Sequence, residues 1–219
     1  RGGRLLAVEH MMRLHYQKTL RVHQMVDLAI HRMRGLGHIG RTHVAALSNV
    51  EGLALVAGCD YDTGLASVLP DGVPFYHSHA ELLSAGGFDV VVVATPNRTH
   101  NTIARDVLRA GYHVIVEKPA ASCLEAFDAL EALAAAQQRH IYYAFHAATA
   151  LEVSWLEGHL AQHRESYGPL TAFHSCFYDP YITTEGELLL HARSLDDCWS
   201  DSGVNALSVL DRFYPVDSV

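Results

Sequence analysis

The 219-residue chain carries 16 Lys and Arg against 24 Asp and Glu, and 49% of its residues are hydrophobic. This length and apolar content suffice for one large domain or two small ones around a buried core. The net charge of −8 argues against nucleic acid as the main partner, and no apolar run reaches the roughly 18 residues that a membrane span needs. Four scattered cysteines without a C-x-x-C pair indicate reduced thiols in a cytoplasmic protein, and the spacing of the 16 histidines predicts no metal site.

The first 25 residues are basic and resemble no part of a nucleotide-binding fold, so we predict that residues 1–25 form a poorly ordered extension. We place a dinucleotide-binding domain at residues 26–148 and the incomplete start of a substrate domain at residues 149–219. The first strand has two candidates, at residues 26–30 and at residues 19–22. Charged residues between the first candidate and the loop that follows are costly in a strand buried on both faces. Either the strand ends early and the loop is longer than usual, or this region of the sequence is damaged.

A glycine-rich loop, Gly35-Leu36-Gly37-His38-Ile39-Gly40, fits the G-x-G-x-x-G pattern that wraps a dinucleotide pyrophosphate at a helix N-terminus. A helix-like segment (42–47) and an apolar run (53–59) follow it. The run ends at Asp60, where an acid can accept hydrogen bonds from ribose hydroxyls, and we predict NAD as cofactor with NADP as the alternative. The competing interpretation is a chance glycine turn. The predicted contacts on this side of the cofactor are Gly35, Gly37, His38, Ile39, Gly40 and Asp60.

Beyond Asp60 the chain alternates between apolar strands and helices, which predicts a parallel sheet that binds ligands at the carboxyl ends of its strands. The predicted elements are a helix at 79–85, a strand at 89–96, a helix at 99–110, a strand at 112–119, a helix at 122–139 and a strand at 141–145. Ser122 and Glu125 have the spacing of a capping box at the start of the fifth of these elements. A helix at 151–163, a strand at 170–178 and a helix at 204–213 are expected in the second domain.

Two strand ends carry the strongest signal, Ala94-Thr-Pro-Asn-Arg-Thr-His100 and Val116-Glu-Lys-Pro-Ala120. Together with the glycine loop and Asp60 they resemble the Gfo/Idh/MocA family of oxidoreductases over residues 35–210. The resemblance implies a fold of class α/β, a Rossmann-type parallel sheet followed by an α+β substrate domain that is truncated here. It also implies that the lysine of Glu-Lys-Pro lies between nicotinamide and substrate. The residues that it adds to the cofactor site are Thr95, Pro96, Asn97, His100, Glu117 and Lys118.

Lys118 also stands out by composition, because the chain has only two lysines against fourteen arginines. An ammonium at the carboxyl end of a strand can donate to a reacting oxygen. The competing interpretation is a surface lysine that ends a strand, and for residues 95–97 it is an ordinary strand-terminating turn.

The second domain carries Asp201-Ser-Gly203-Val-Asn205, which resembles the family signature Asp-x-Gly-x-His with Asn in place of His. The variant resembles the branch of aldose 1-dehydrogenases that act on galactose or arabinose. Asp201 and Asn205 are four residues apart and share one helix face. The resemblance implies Lys118, Asp201 and Asn205 as catalytic residues, while the competing interpretation of Asp201 is a helix N-cap.

The resemblance implies an NAD(P)-dependent oxidoreductase that oxidises an aldose at C1 to a lactone. Its expected partner is a small sugar, with no nucleic acid, membrane or metal, and a full-length form is expected to be a homo-oligomer. The alternative hypothesis is a truncated or decayed member of the family that binds dinucleotide without catalysis.

Overall fold

The computed structural model describes residues 26–31, 38–47, 50, 52–178, 181–187 and 198–214, with the backbone alone for 26–31 and 38–41. The predicted extension at 1–25 and the alternative first strand at 19–22 lie outside these residues. The chain divides into two compact units between Ala144 and Phe145, whereas the predicted domain boundary follows residue 148. None of the helices in the described residues is long and apolar enough to cross a membrane.

The first unit is built on a six-stranded parallel sheet with the strand order β3-β2-β1-β4-β5-β6. Its strands are β1 (Val26–His31), β2 (Leu53–Cys59), β3 (Phe75–Tyr76), β4 (Val90–Val93), β5 (His113–Glu117) and β6 (Ile141–Ala144). This is the order of a doubly wound Rossmann sheet, in which the direction of winding reverses between β1 and β4. The predicted Rossmann-type sheet is confirmed, and the first strand is the candidate at 26–30 extended by His31.

Helices connect the strands, and their periodicity explains which side each one buries. They are α1 (His38–Leu47), a 3-10 helix (Thr63–Val68), α2 (His79–Ala85), α3 (Asn97–Arg109) and α4 (Leu124–Ala136). Helix α3 buries His100, Ile103, Ala104, Val107 and Leu108, which repeat at the spacing of one face of an α-helix. Gly111, at φ +86°, ends this segment in the left-handed conformation that glycine adopts without steric cost.

The core of the first unit lies where the sheet is covered on both faces. All four valines of β4 are fully buried, as are Leu82, Leu108 and Leu130 on the helices. A strand covered on both faces has no polar side to alternate with, so it appears in the sequence as a continuous apolar run. Burial of each such side chain contributes roughly 1.5–3 kcal/mol.

One predicted helix start is wrong. Helix α4 begins at Leu124, with Cys123 in the N-cap position and no side-chain hydrogen bond at the cap. Ser122 therefore lies one residue before the N-cap, and the capping box that we predicted for Ser122 and Glu125 does not form.

The second unit is helical in the described residues. It contains a 3-10 helix (His146–Thr149), α5 (Leu151–Gln162), α6 (Arg164–Tyr167), a π-helix (Trp199–Gly203) and α7 (Val204–Phe213). The helices predicted at 151–163 and 204–213 are confirmed. The strand predicted at 170–178 is wrong, because the backbone of this segment forms no strand with any other described residue.

Candidate active site

The carboxyl ends of the central strands lie level with one another. His31 pairs with Cys59 on one side and with Val93 on the other, and Val93 pairs with Val116. The residues that follow these strands therefore emerge together at one edge of the sheet, around the point where the strand order reverses. Ligands bind at this edge in open parallel sheets.

Asp60 follows β2 and is only 2% exposed. Its Oδ1 accepts a hydrogen bond from the Asp62 backbone N–H at 2.9 Å, and its own N–H donates to the Tyr76 carbonyl at 3.1 Å. The first bond holds the carboxylate, and the second fixes the Asp60 backbone beside β3. Burial raises the pKa of the neighbouring Cys59 thiol to about 12, and the Asp60 charge adds to that effect.

The segment after β4 contains Thr95, Pro96 and Asn97, as the sequence predicted. The Thr99 hydroxyl lies 2.8 Å from the Thr95 hydroxyl and 2.7 Å from the Pro96 carbonyl oxygen, which ties this turn to the first turn of α3. Asn97 opens α3, and its buried Nδ2 has no hydrogen-bond partner among the described residues. A buried amide donor without an acceptor is costly.

His100 lies one turn further along α3 and is 1% exposed. Its Nε2 is 2.6 Å from the Thr95 carbonyl oxygen, and its Nδ1 is 2.8 Å from the Pro119 carbonyl oxygen. Burial lowers the pKa of His100, while the two carbonyls and Glu117 act in the opposite direction. The ring thus joins the segment after β4 to the segment after β5.

Glu117 ends β5 and is buried against a histidine that the sequence analysis missed. His43 Nε2 lies 2.9 Å from Glu117 Oε1, and both side chains are buried. A buried carboxylate is costly unless it is paired, and this pair ties α1 to the end of β5. The signal in the sequence was a histidine on an apolar helix, three residues after the last glycine of the loop. Lys118 follows Glu117 directly and is half-buried.

The glycine loop is described only in part. Gly35 and Gly37 lie outside the described residues, whereas His38, Ile39 and Gly40 form the first residues of α1. Helix α1 therefore starts within the motif. Its position after β1, at the centre of the sheet, is the one in which a helix N-terminus binds a pyrophosphate.

In the second unit, Asp201 is buried within the π-helix Trp199–Gly203. The Tyr181 hydroxyl, which the sequence analysis also missed, donates to Asp201 Oδ2 at 3.0 Å and contacts the Ser202 hydroxyl. The N-cap positions of the π-helix and of α7 are Cys198 and Gly203, so Asp201 caps neither. π-Helical turns often occur at functional sites.

Asn205 lies one turn further on, in α7, and is 1% exposed. Its Nδ2 donates to the Asp201 carbonyl at 3.3 Å, while its buried Oδ1 has no partner within the described part of the chain. The exposed Trp199 ring packs against Gly203, where a Cβ would lie 2.6 Å from it, so a larger residue there would displace the ring. Among the described side chains, no group of three or more His, Cys, Asp or Glu could hold a metal ion.

The chain is similar in sequence to known oxidoreductases. Residues 32–145 match the sequence model of the Gfo/Idh/MocA family, which is described as an oxidoreductase family with an NAD-binding Rossmann fold. Inositol 2-dehydrogenase 1 of Saccharopolyspora erythraea is 38% identical over 99 residues, which are 41% of this chain and 29% of that protein.

Solved structures match across both units. The D-galactose-1-dehydrogenase protein of Rhizobium etli is 25% identical with a TM-score of 0.69, and the match covers 88% of this chain and 59% of that one. The scyllo-inositol dehydrogenase of Lactobacillus casei, solved with NAD(H) and scyllo-inositol, has a TM-score of 0.72 at 17% identity and covers 87% of this chain and 56% of that one. The chain spans just over half the length of these solved structures and less than a third of the curated relative.

The family match covers just over half of the chain, and the Rossmann strand order agrees with it. The chain therefore belongs to the Gfo/Idh/MocA family of NAD-binding oxidoreductases.

Proposed function

We propose that the protein oxidises an aldose at C1 to a lactone, with NAD as the hydride acceptor. The observation that carries the proposal is the buried pair Asp201 and Asn205, in which a carboxylate and an amide occupy successive turns of one helical segment. Asn cannot titrate, so the acid–base role falls on Asp201 or Lys118. The likeness to a D-galactose-1-dehydrogenase at 25% identity supports the choice of an aldose.

The first unit would hold the cofactor. Asp60 would accept hydrogen bonds from the adenosine ribose, and the N-terminus of α1 would face the pyrophosphate. Asn97 would donate its unpartnered Nδ2–H to the nicotinamide end. When bound, the cofactor supplies the acceptor for the hydride that leaves C1.

The substrate chemistry would use Lys118, Asp201 and Asn205. Lys118 would donate a hydrogen bond to the C1 oxygen. Asp201, held by the Tyr181 hydroxyl, would accept the proton of the C1 hydroxyl as the carbonyl forms. Asn205 would accept a hydrogen bond from a sugar hydroxyl at Oδ1.

A first experiment separates this function from its alternatives. Titration of the protein with NADH, followed by nicotinamide fluorescence, measures binding, and NAD reduction with D-galactose, L-arabinose and inositols measures turnover. Oxidation at C1 yields a lactone that hydroxylamine traps as a hydroxamate, whereas oxidation of a ring hydroxyl yields a ketone that forms no hydroxamate. Binding without turnover would select the alternative of a non-catalytic member of the family.

A second experiment assigns the roles. Asp201→Asn should lower kcat by about 10²–10⁴-fold with NAD affinity little changed, because a positioned base contributes about that much. Lys118→Ala should be at least as severe, and Asn205→Ala milder. Asp211→Asn, on the exposed side of α7, is the matched control and should leave kcat unchanged.

The double variant tests whether Lys118 and Asp201 serve one substrate. If they act as a unit, the loss in the double variant should be well short of the product of the single losses. Near-normal turnover of Asp201→Asn would refute the base role of Asp201 and leave Lys118 as the candidate.

We also propose the location of the protein, its division into two domains and its oligomeric state. The free thiols of the four cysteines support a cytoplasmic location, to be checked by fractionation. The assignment of residues 26–148 and 149–219 to cofactor and substrate domains is to be checked by limited proteolysis. A homo-oligomeric full-length form is to be checked by analytical ultracentrifugation.

A further inference from the structure

The ring of His100 fills the space between two strand-end segments. It faces the Thr95 carbonyl with Nε2 at 2.6 Å and the Pro119 carbonyl with Nδ1 at 2.8 Å. Both neighbours are acceptors, so each ring nitrogen can form a hydrogen bond here only when it carries a hydrogen. A neutral imidazole donates to one carbonyl at a time, whereas an imidazolium donates to both. In either state the width of the ring sets the separation of the two carbonyls.

The two segments that His100 joins carry side chains assigned to the nicotinamide end. Thr95 is two residues before Asn97, and Pro119 is one residue after Lys118. Strands β4 and β5 are neighbours in the sheet, but their ladder ends before these segments begin. A side chain that spans the gap therefore fixes a spacing that the sheet alone leaves free.

We propose that His100 is a positioning residue for the nicotinamide end of the cofactor, because its ring sets the spacing between Asn97 and Lys118. This inference rests on the proposed function, in which those two side chains face the nicotinamide and its substrate. With both ring nitrogens against backbone carbonyls and 1% exposure, His100 acts through the two segments rather than by touching the cofactor.

The test compares two ligands that share one end. NADH has a nicotinamide, whereas ADP-ribose keeps the adenosine, pyrophosphate and second ribose and lacks the nicotinamide. His100→Phe keeps a ring and removes both donors. We expect it to raise the Kd for NADH at least about tenfold, since misplacement of a binding group by about 1 Å is costly, and to leave the Kd for ADP-ribose within about twofold of the wild-type value.

Two more variants keep the result interpretable. His79→Phe is the matched control, because His79 also contacts another element through Nε2, at 3.2 Å from Asp106, away from both segments. It should leave both dissociation constants unchanged. His100→Gln, which retains one donor group, replaces His100→Phe if the latter fails to fold by circular dichroism, and a smaller but equally selective loss of NADH affinity is then expected.

Each outcome decides the inference. Equal loss of affinity for NADH and ADP-ribose would show a general structural role and overturn the proposal, as would unchanged affinity for both. If the wild-type protein binds neither ligand, the proposed function itself fails and the positioning role falls with it. A selective loss for NADH in the His100 variants alone supports the proposal.

Discussion

The two units of the chain differ in what they bury. The first unit packs valines, leucines and alanines of the sheet and helices into its interior, and the polar groups that it buries, such as the His43–Glu117 pair, lie near the strand ends. The second unit buries Asp201, Ser202 and Asn205, while Trp155, which is 65% exposed, and other large apolar side chains face outward.

Burial has a different cause in each unit. In the first unit it follows from the hydrophobic effect, which is roughly proportional to apolar area. In the second unit the buried side chains among the described residues are polar apart from Ala147, and burying polar groups costs free energy unless their hydrogen bonds are made. A fold retains such a cluster at a cost to stability, which is typical of a site rather than of a core.

The largest expected contrast concerns thiol reactivity. At pH 8 we expect Cys59 in the first unit to react with iodoacetamide about a thousandfold more slowly than the exposed Cys176, because the Cys59 pKa of about 12 lies well above the ordinary 9.0 and the thiolate is the reactive species. Mass spectrometry of the labelled peptides measures both rates. Similar rates would show that the first unit opens readily, which would contradict the protection that we expect for Cys59.

The next contrast concerns the loss of stability when a leucine in each unit is replaced by alanine. Leu130→Ala, at a fully buried position of the first unit, should lower the free energy of unfolding by about 2–5 kcal/mol through lost burial and a residual cavity. Leu207→Ala in the second unit, where the side chain is 40% exposed, should change it by about 0.5 kcal/mol or less. Urea denaturation followed by circular dichroism gives both values, and an equal cost would mean that the second unit also has an apolar core.

Paired tyrosine variants test the polar interior of the second unit. Tyr181→Phe removes the hydrogen bond to Asp201 and should cost about 1.5–3 kcal/mol, the usual range for a bond to a charged group. Tyr143→Phe removes an exposed bond to Glu131 in the first unit and should cost about 0.5 kcal/mol. Thermal melts of the two variants measure the difference. A Tyr181→Phe protein as stable as the wild type would contradict a role for this hydroxyl in holding Asp201.

The smallest expected effect concerns cofactor choice, which we assign to the first unit alone. Asp60 should accept a bond from the ribose 2′-OH of NAD and repel the 2′-phosphate of NADP, giving a preference of about tenfold, or about 1.4 kcal/mol. Asp60→Ala should remove this preference, whereas Asp201→Asn should keep it. Fluorescence titration with NADH and NADPH measures the ratio, and tighter binding of NADPH by the wild type would reverse the assignment.

The sequence alone was sufficient for most of the first unit. Continuous apolar runs such as 90–93 and amphipathic helices such as 97–109 are local patterns, and their alternation leaves few arrangements other than a parallel sheet. The carboxyl ends of parallel strands lie at one edge of such a sheet. The sequence was therefore enough to place Asp60, Asn97 and Lys118 at that edge. Family membership followed from the same residues.

Which side chains come into contact from distant parts of the sequence follows from the tertiary structure alone. His43 and Glu117 are 74 residues apart, and Tyr181 and Asp201 are 20 apart, and no local periodicity records such distances. The same holds for the segment 170–178, which we predicted as a strand, because a strand also needs a partner to satisfy its backbone hydrogen bonds. His100 shows the difference most directly: its place on a helix face follows from the sequence, but its two carbonyl contacts exist because the fold brings two strand ends together.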